Sequence, residues 1–312
     1  MPINTLATAT VFQQQLDLMA VREALTGWMD ANAGQVKYNG GAEVKIPKMA
    51  LQGLGNYDRD DGYVQGAVTL SYETRSMTQD RGRKFQLDST DVDETNFVAT
   101  AGNVMGVFQR EHVIPEVDAY RISKIVAQAI TAATSGMIEY GYTPAKATAL
   151  DKFKGAIATI RDAGFSGPLI CHCTAAFKLQ LELALAAQLR SITWSQGGIK
   201  TQVPAIDDVP IIETPQNRMY SAITLKDGTT AGQKDGGYAK GSSAYDVNFI
   251  ILPRVAPIAV TKQDKMRIFD PNTYQKADAW SMDYRRYHDL WVKDNAIKLV
   301  AVNIKDAQSG SN

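Results

Sequence analysis

Between residues 36 and 88 the hydrophobic pattern has a period of two. Val44 and Ile46 alternate with Glu43, Lys45 and Pro47; Val68, Leu70 and Tyr72 alternate with Thr69, Ser71 and Glu73. Further on, Phe85 and Leu87 alternate with Lys84, Gln86 and Asp88. Successive strand side chains point to opposite faces, so this pattern marks strands with one apolar and one polar side. The stretch from Gln52 to Gly66 carries Gly53, Gly55, Gly62 and Gly66 with a cluster of charges, and reads as a loop. The expected form is a long two-stranded projection. Such a hairpin has little core of its own and is marginal alone in water. Something must cover its apolar side, and a partner outside the chain is the economical candidate.

Charge on this segment points the same way. Arg59, Arg75, Arg81, Arg83 and Lys84 are interspersed with Asp58, Asp60, Asp61, Asp80 and Asp88. On an ordinary surface each exposed ion pair contributes about 0–1 kcal/mol. On a projection with an apolar side, charge matching also sets register against a neighbour.

The whole chain has 312 residues, 33 Lys+Arg and 33 Asp+Glu, and so no net charge. Its length suits about two domains. A protein that grips nucleic acid by neutralising phosphates carries a basic excess, so nucleic acid is not expected as the principal partner. Neutrality leaves little long-range repulsion between copies. Arg22 is the first basic residue and no apolar stretch follows the start, so no secretory signal is read. Runs such as Phe249-Ile250-Ile251-Leu252 are too short to span a bilayer. Folding in the cytoplasm, without a membrane partner, is the expectation.

Helical patterns appear in three places before residue 135. Phe12, Leu16 and Met19, after a cap at Thr10, share one face of an N-terminal helix that docks on its own domain or on a neighbouring copy. Asp91 to Glu94 reads as a helix start continued by Val104, Val107 and Phe108. Pro115 is expected to end that helix and open another, with Glu116 and Asp118 in its first turn. Ile122, Ile125, Val126, Ala129 and Ile130 form its apolar stripe to about Thr134, with Arg121, Lys124 and Gln128 off the stripe.

Residues 145–255 read as a mixed unit. Lys146 to Ala163 is helical, with Leu150, Phe153, Ile157 and Ile160 on one side and Gly164 at its end. Leu169 to Cys171 is a strand and Thr174 to Leu189 a second helix. Residues 226–243 hold five glycines and read as a flexible loop long enough to imply a contact role. From Ile258 short strands are expected around a turn at Asp270-Pro271-Asn272, ending in Leu299 to Ile304.

Candidate chemistry is thin. Cys171-His172-Cys173 offers soft ligands, but neighbouring strand residues face opposite ways, and structural zinc wants four ligands at wider spacing. Asn56 to Gly62 echoes a calcium loop, yet its glycine falls one place late and Ala67 stands where the closing glutamate belongs. Neither a phosphate-binding loop, a dinucleotide fingerprint nor a nucleophile elbow is present. Asp91 and Asp93 are explained by helix capping. No catalytic, cofactor or metal site is expected, and no cofactor.

The order of Asn56 to Gly66, Asp80-Arg81-Gly82, Asp91-Val92-Asp93-Glu94 and Ile114-Pro115-Glu116-Val117-Asp118-Ala119-Tyr120-Arg121 resembles the major capsid proteins of tailed bacteriophages, with the Hong Kong 97-type fold. The C-terminal region from Ile258 through Trp280, Arg285-Arg286-Tyr287-His288-Asp289 and Val300 is similar to that family's returning strands. The resemblance covers nearly the whole chain and rests on ordered pattern. It implies an α+β fold of four parts. These are an N-terminal arm at 1–35, an extended E-loop hairpin at 36–90, a peripheral domain at 91–144 and 256–294, and a mixed axial domain at 145–255 and 295–312. Pro115 to Thr134 would be the spine helix, and the 226–243 loop would lie towards a capsomer axis.

The same resemblance implies a self-assembling virion subunit, not an enzyme. Hexamers and pentamers would close into an icosahedral shell around double-stranded DNA, assembled in the host cytoplasm. A separate scaffolding protein and a portal are expected, with only non-specific contact to packaged DNA. Arm-like sequence begins at Met1, so an uncleaved subunit is the expectation. Contact candidates between subunits are Phe12, Leu16, Arg59, Asp60, Asp61, Arg75, Asp80, Arg81, Arg83, Arg121, Lys124, Arg285 and Arg286. The rivals are an encapsulin-type nanocompartment shell and a soluble binding module or enzyme. A portal gene nearby would decide against the first. A strictly monomeric protein with a ligand-dependent melting shift would favour the second.

Overall fold

A computed structural model describes residues 24–38, 43–60, 62–90, 101–185, 190–196, 199–274 and 276–308. The helix expected around Phe12 and Leu16, the tip residue Asp61 and the helix start Asp91 to Glu94 lie outside the described residues.

In chain order, a 3-10 segment Gly27–Gln35 leads to strands β1 (Lys37–Tyr38), β2 (Glu43–Leu51), β3 (Val68–Ser76) and β4 (Gln79–Asp88). Helix α1 (Ala101–Phe108), a π-helical turn Gln109–Val113 and helix α2 (Ile114–Ala132) follow. Then come β5 (Ile138–Glu139), α3 (Lys146–Asp162), β6 (Leu169–Cys173) and α4 (Ala175–Ala184). Strands β7 (Arg190–Gln196), β8 (Ile199–Ile206), β9 (Val209–Glu213), β10 (Ile223–Leu225) and β11 (Tyr238–Lys240) come next. The chain continues with β12 (Val247–Pro253), β13 (Pro257–Phe269), β14 (Ala279–Val292), the short helix α5 (Asp294–Ile297) and β15 (Ala301–Ile304).

A seven-stranded sheet in the order β5-β15-β12-β6-β9-β8-β7 organises the core. Its central strands are buried on both faces. On β12, Phe249 and Ile251 face a cluster with Phe153, Ile160, Phe177 and Leu181 of α3 and α4. Their neighbours Ile250 and Leu252 face a second cluster with Ile122, Ile125, Val126 and Ala129 of α2. A strand covered on both sides reads as a continuous apolar run, which is how Phe249 to Leu252 reads. The expected helical stripes of α2 and α3 therefore define opposite covers of one sheet. Gly164, at φ +91°, ends α3 in the left-handed conformation that glycine adopts freely. Thr174 caps α4, accepting from the Phe177 amide at 3.4 Å.

Pro115 does not interrupt the helical path. A proline inside a helix lacks its N–H and its ring collides with the carbonyl four residues back. Here the preceding turn widens: the Ile114 amide bonds to the Gln109 carbonyl, a π-type spacing that absorbs the proline. One helical run therefore joins α1 to α2.

Two further expectations are corrected. The strands after Ile258 are long, with 13 residues in β13 and 14 in β14. They pair antiparallel, and β4 pairs along its whole length with β14, from Asp88 opposite Ala279 to Gln79 opposite His288. Residues 79–88 thus belong to a β13-β14-β4 sheet and not to the projection. Alternation shows that a strand is half buried; it does not show which strand it pairs with. The glycine-rich segment closes the small β10–β11 hairpin.

Candidate inter-subunit surface

The projection is the β2–β3 pair, joined without a register break from Glu43 opposite Ser76 to Leu51 opposite Val68, with the short β1 paired to β2 only at its base, at Val44 and Lys45. At its base, Val44 and Ile46 are buried with Met77, Ile258, Val260 and Trp291. Beyond Pro47 the apolar side chains change faces. Pro47, Met49 and Leu51 lie opposite Tyr72, Leu70 and Val68, and these alternate with Lys48, Ala50, Ser71 and Thr69. Because the register is unbroken, the face that enters the chain's own core at the base is the polar face further out. The outer apolar face points away from that core.

Its exposure is concentrated. Thirteen large hydrophobic residues are exposed among the described residues, and nine belong to this hairpin: Met49, Leu51, Leu54, Tyr57, Tyr63, Val64, Val68, Leu70 and Tyr72. Scattered exposed apolar residues are ordinary, whereas a contiguous set marks a binding surface. The tip is closed by reciprocal backbone bonds between Asp58 and Gly62, with Tyr57 and Tyr63 edge to face at 4.9 Å. Gly62, at φ +81°, makes that turn.

The hairpin's root is polar and is held by a buried carboxylate. Thr78, between β3 and β4, donates its amide and hydroxyl to Asp289 of β14, each at 2.9 Å. Asp289 also accepts from the Tyr120 hydroxyl at 2.7 Å and from Lys124, both on α2. Burial and the Asp289 charge push the Tyr120 phenol far above its ordinary range. A second clamp lies two residues earlier. Asp118, fully buried, accepts from the Leu25 and Thr26 amides, the Thr26 hydroxyl and Arg218.

No protein-family model and no curated protein matches this chain. Solved structures do. The chain is similar to the asymmetric unit of the bacteriophage PhiM1 mature capsid, at 11% identity and a TM-score of 0.55, over 87% of this chain and 84% of that one. It is similar to the capsid structure of the cyanophage P-SCSP1u, at 13% identity and a TM-score of 0.52, over 85% and 83%. For Microbacterium phage Oxtober96 the values are 10%, 0.57, 88% and 90%. The chain has the Hong Kong 97-type phage capsid fold.

Within this capsid fold the contact candidates separate by environment. Arg59 and Asp60 are exposed at the hairpin tip, and Arg75 pairs with Glu73 on β3. Asp80 and Arg285 pair with each other at 2.8 Å on the exposed face of the β13-β14-β4 sheet. That bond holds the Asp80 carboxyl below its ordinary range.

The other described candidates, Arg81, Arg83, Arg121, Lys124 and Arg286, make polar contacts within the chain. Arg81 donates to Glu116 of α2 at 2.6 Å and to the Lys226 and Gly237 carbonyls of the glycine-rich loop. Arg83 donates to the Lys234 carbonyl of the same loop. Arg121, 1% exposed, grips Asp30 and the Thr26 carbonyl. Lys124 serves Asp289, and Arg286 pairs with Asp264 at 2.9 Å. The loop is thus tied to β4 in the same chain, between the sheet and the start of α2.

Cys171, His172 and Cys173 are all buried on β6, with the thiols in one core cluster and the imidazole on the other face. Burial and the neighbouring Cys173 raise the Cys171 thiol well above its ordinary value. Among the described residues no group of three His, Cys, Asp or Glu is placed to hold a metal. Sequence reasoning placed Asp118 as a first-turn acid and named Asp289 only within the returning strands, assigning it no role. A lone carboxylate inside an apolar strand such as Tyr287 to Val292 is the available signal, since a buried acid must have donors.

Proposed function

We propose that this protein is the repeating structural subunit of a tailed-phage head. It forms hexamers and pentamers that close as an icosahedral shell around double-stranded DNA. The observation that carries this reading is the outer apolar face of β2–β3, which turns away from its own core on a projecting ribbon. In this reading residues 1–35 are the N-terminal arm, and the E-loop is the β2–β3 ribbon, with Arg59, Asp60 and Arg75 as its contact charges. The peripheral domain comprises α1, α2 as spine helix and the β13-β14-β4 sheet; the seven-stranded sheet with α3 and α4 is the axial domain. The protein works as a structural element and not as a catalyst, in the virion, after assembly in the host cytoplasm with a scaffolding protein and a portal. Zero net charge suits a lining that touches DNA without gripping it.

The test is expression alone and together with the scaffolding protein of the same phage, followed by electron microscopy and sedimentation velocity. Closed particles or related polymers are expected. Only monomers or dimers in both cases would overturn the proposal.

A further inference from the structure

Between residues 116 and 124, polar side chains of α2 reach four separate segments of the chain. Glu116 holds Arg81 of β4. Asp118 takes the amides of Leu25 and Thr26 at 3.1 and 3.0 Å and the Thr26 hydroxyl at 2.5 Å. Arg121 returns to the Thr26 carbonyl and to Asp30, at 3.0 and 2.7 Å. Tyr120 and Lys124 meet at Asp289, which holds the amide and hydroxyl of Thr78. Residues 25–30 are where the N-terminal segment joins the body, and Thr78 is where the β2–β3 ribbon joins it. Both roots are fixed by a fully buried carboxylate served from the same two turns of one helix.

We infer that this stretch of α2 couples the two roots, so that the anchoring of residues 25–30 and the anchoring of the ribbon at Thr78 are set together. Asp118 and Lys124 are separated by six residues, about 9 Å of stiff helix, so neither clamp can be displaced without the other. Hydrogen bonds to a buried carboxylate tolerate little misplacement, because an unpaired donor or acceptor there is costly. A second route joins the same two regions: Ala33 and Val36 pack in the apolar cluster that holds Val44, Ile46 and Met77, and Trp291 of that cluster lies beneath the Lys124 ammonium. Two contiguous contact paths therefore run between the roots. The coupling belongs to the folded subunit and holds whether or not shells form.

Hydrogen–deuterium exchange of the full-length subunit, kept dilute enough to remain unassembled, tests it. Thr26→Val deletes one donor to Asp118, and Thr78→Val deletes one donor to Asp289. Thr26→Val should speed exchange at residues 76–80 by about five-fold or more, the lower range of ordinary coupling between sites. Thr78→Val should speed exchange at residues 24–30 by a similar factor, because equilibrium coupling is reciprocal. Exchange in α3, which packs in the other cluster, should stay at the wild-type rate. Thr26→Ser and Thr78→Ser keep the hydroxyl and should restore the wild-type pattern. A rise confined to the substituted root overturns the inference, and so does a rise that spreads equally into α3.

Discussion

The Trp28 indole Nε1 donates to Nε2 of His172 across 3.1 Å, deep between the start of the chain body and the centre of the seven-stranded sheet. Since Nε2 accepts, the ring proton sits on Nδ1, which faces the Thr214 hydroxyl at 3.1 Å. Neutral imidazole satisfies both partners. Burial lowers the His172 pKa from 6.5 to about 4.

A pH dependence follows. Unfolded His172 takes up its proton near pH 6.5, whereas in the folded protein it does so only near pH 4. Stability from this group is therefore complete above pH 6.5 and declines as pH falls towards 4, by roughly 3 kcal/mol in total. Denaturant titrations at pH 7.5 and 5 should show a smaller loss in His172→Gln than in the wild type, by about 2 kcal/mol. Equal losses would remove His172 from the account.

The base and the outer face of the β2–β3 ribbon should respond in opposite ways. Ile46→Ala at the buried base should cost about 2–5 kcal/mol of folding stability. Leu51→Lys and Leu70→Lys on the outer face should each change stability by no more than about 0.5 kcal/mol, yet abolish particle formation. Thermal melting beside sedimentation velocity reads both. Normal particles from the outer variants would make that face a bystander.

Arg81 and Arg83 neighbour each other in sequence but not in consequence. Arg81 joins β4, α2 and the glycine-rich loop, so Arg81→Ala should lower folding stability by about 1–3 kcal/mol. Arg83 is exposed and spends both bonds on one carbonyl, so Arg83→Ala should cost less than about 1 kcal/mol. Urea unfolding of the unassembled subunit separates them. Matching effects would contradict this division of roles.

Gly82 sits where β4 closes on β14. A Cβ there would stand 2.7 Å from the Tyr284 carbonyl oxygen, a backbone atom with no rotamer to yield. Gly82→Ala should displace this edge strand and cost about 1–3 kcal/mol. Gly53→Ala, with nothing within 4 Å of the added methyl, is the control and should be nearly neutral. A melting temperature unchanged by Gly82→Ala would show that β4 is free to shift.

What the sequence by itself determined was local. The stripes of α2 and α3, the alternation at 43–47, 68–73 and 84–88, and the glycine-rich turn at the ribbon tip all follow from side-chain period and backbone preference, which act over a few residues. The order of these pieces also carried the capsid resemblance, and the solved structures bear out the fold. Tertiary structure alone decided which strand β4 joins, because alternation is identical for every possible partner. It alone absorbed Pro115 through a π turn. It also decided which charges stay free: Arg59 and Arg121 are both simply arginine in the sequence, yet one lies at an exposed tip and the other is sealed against Asp30. A charge is buried only where donors and acceptors from distant segments converge on it, and that convergence exists only once the chain has folded.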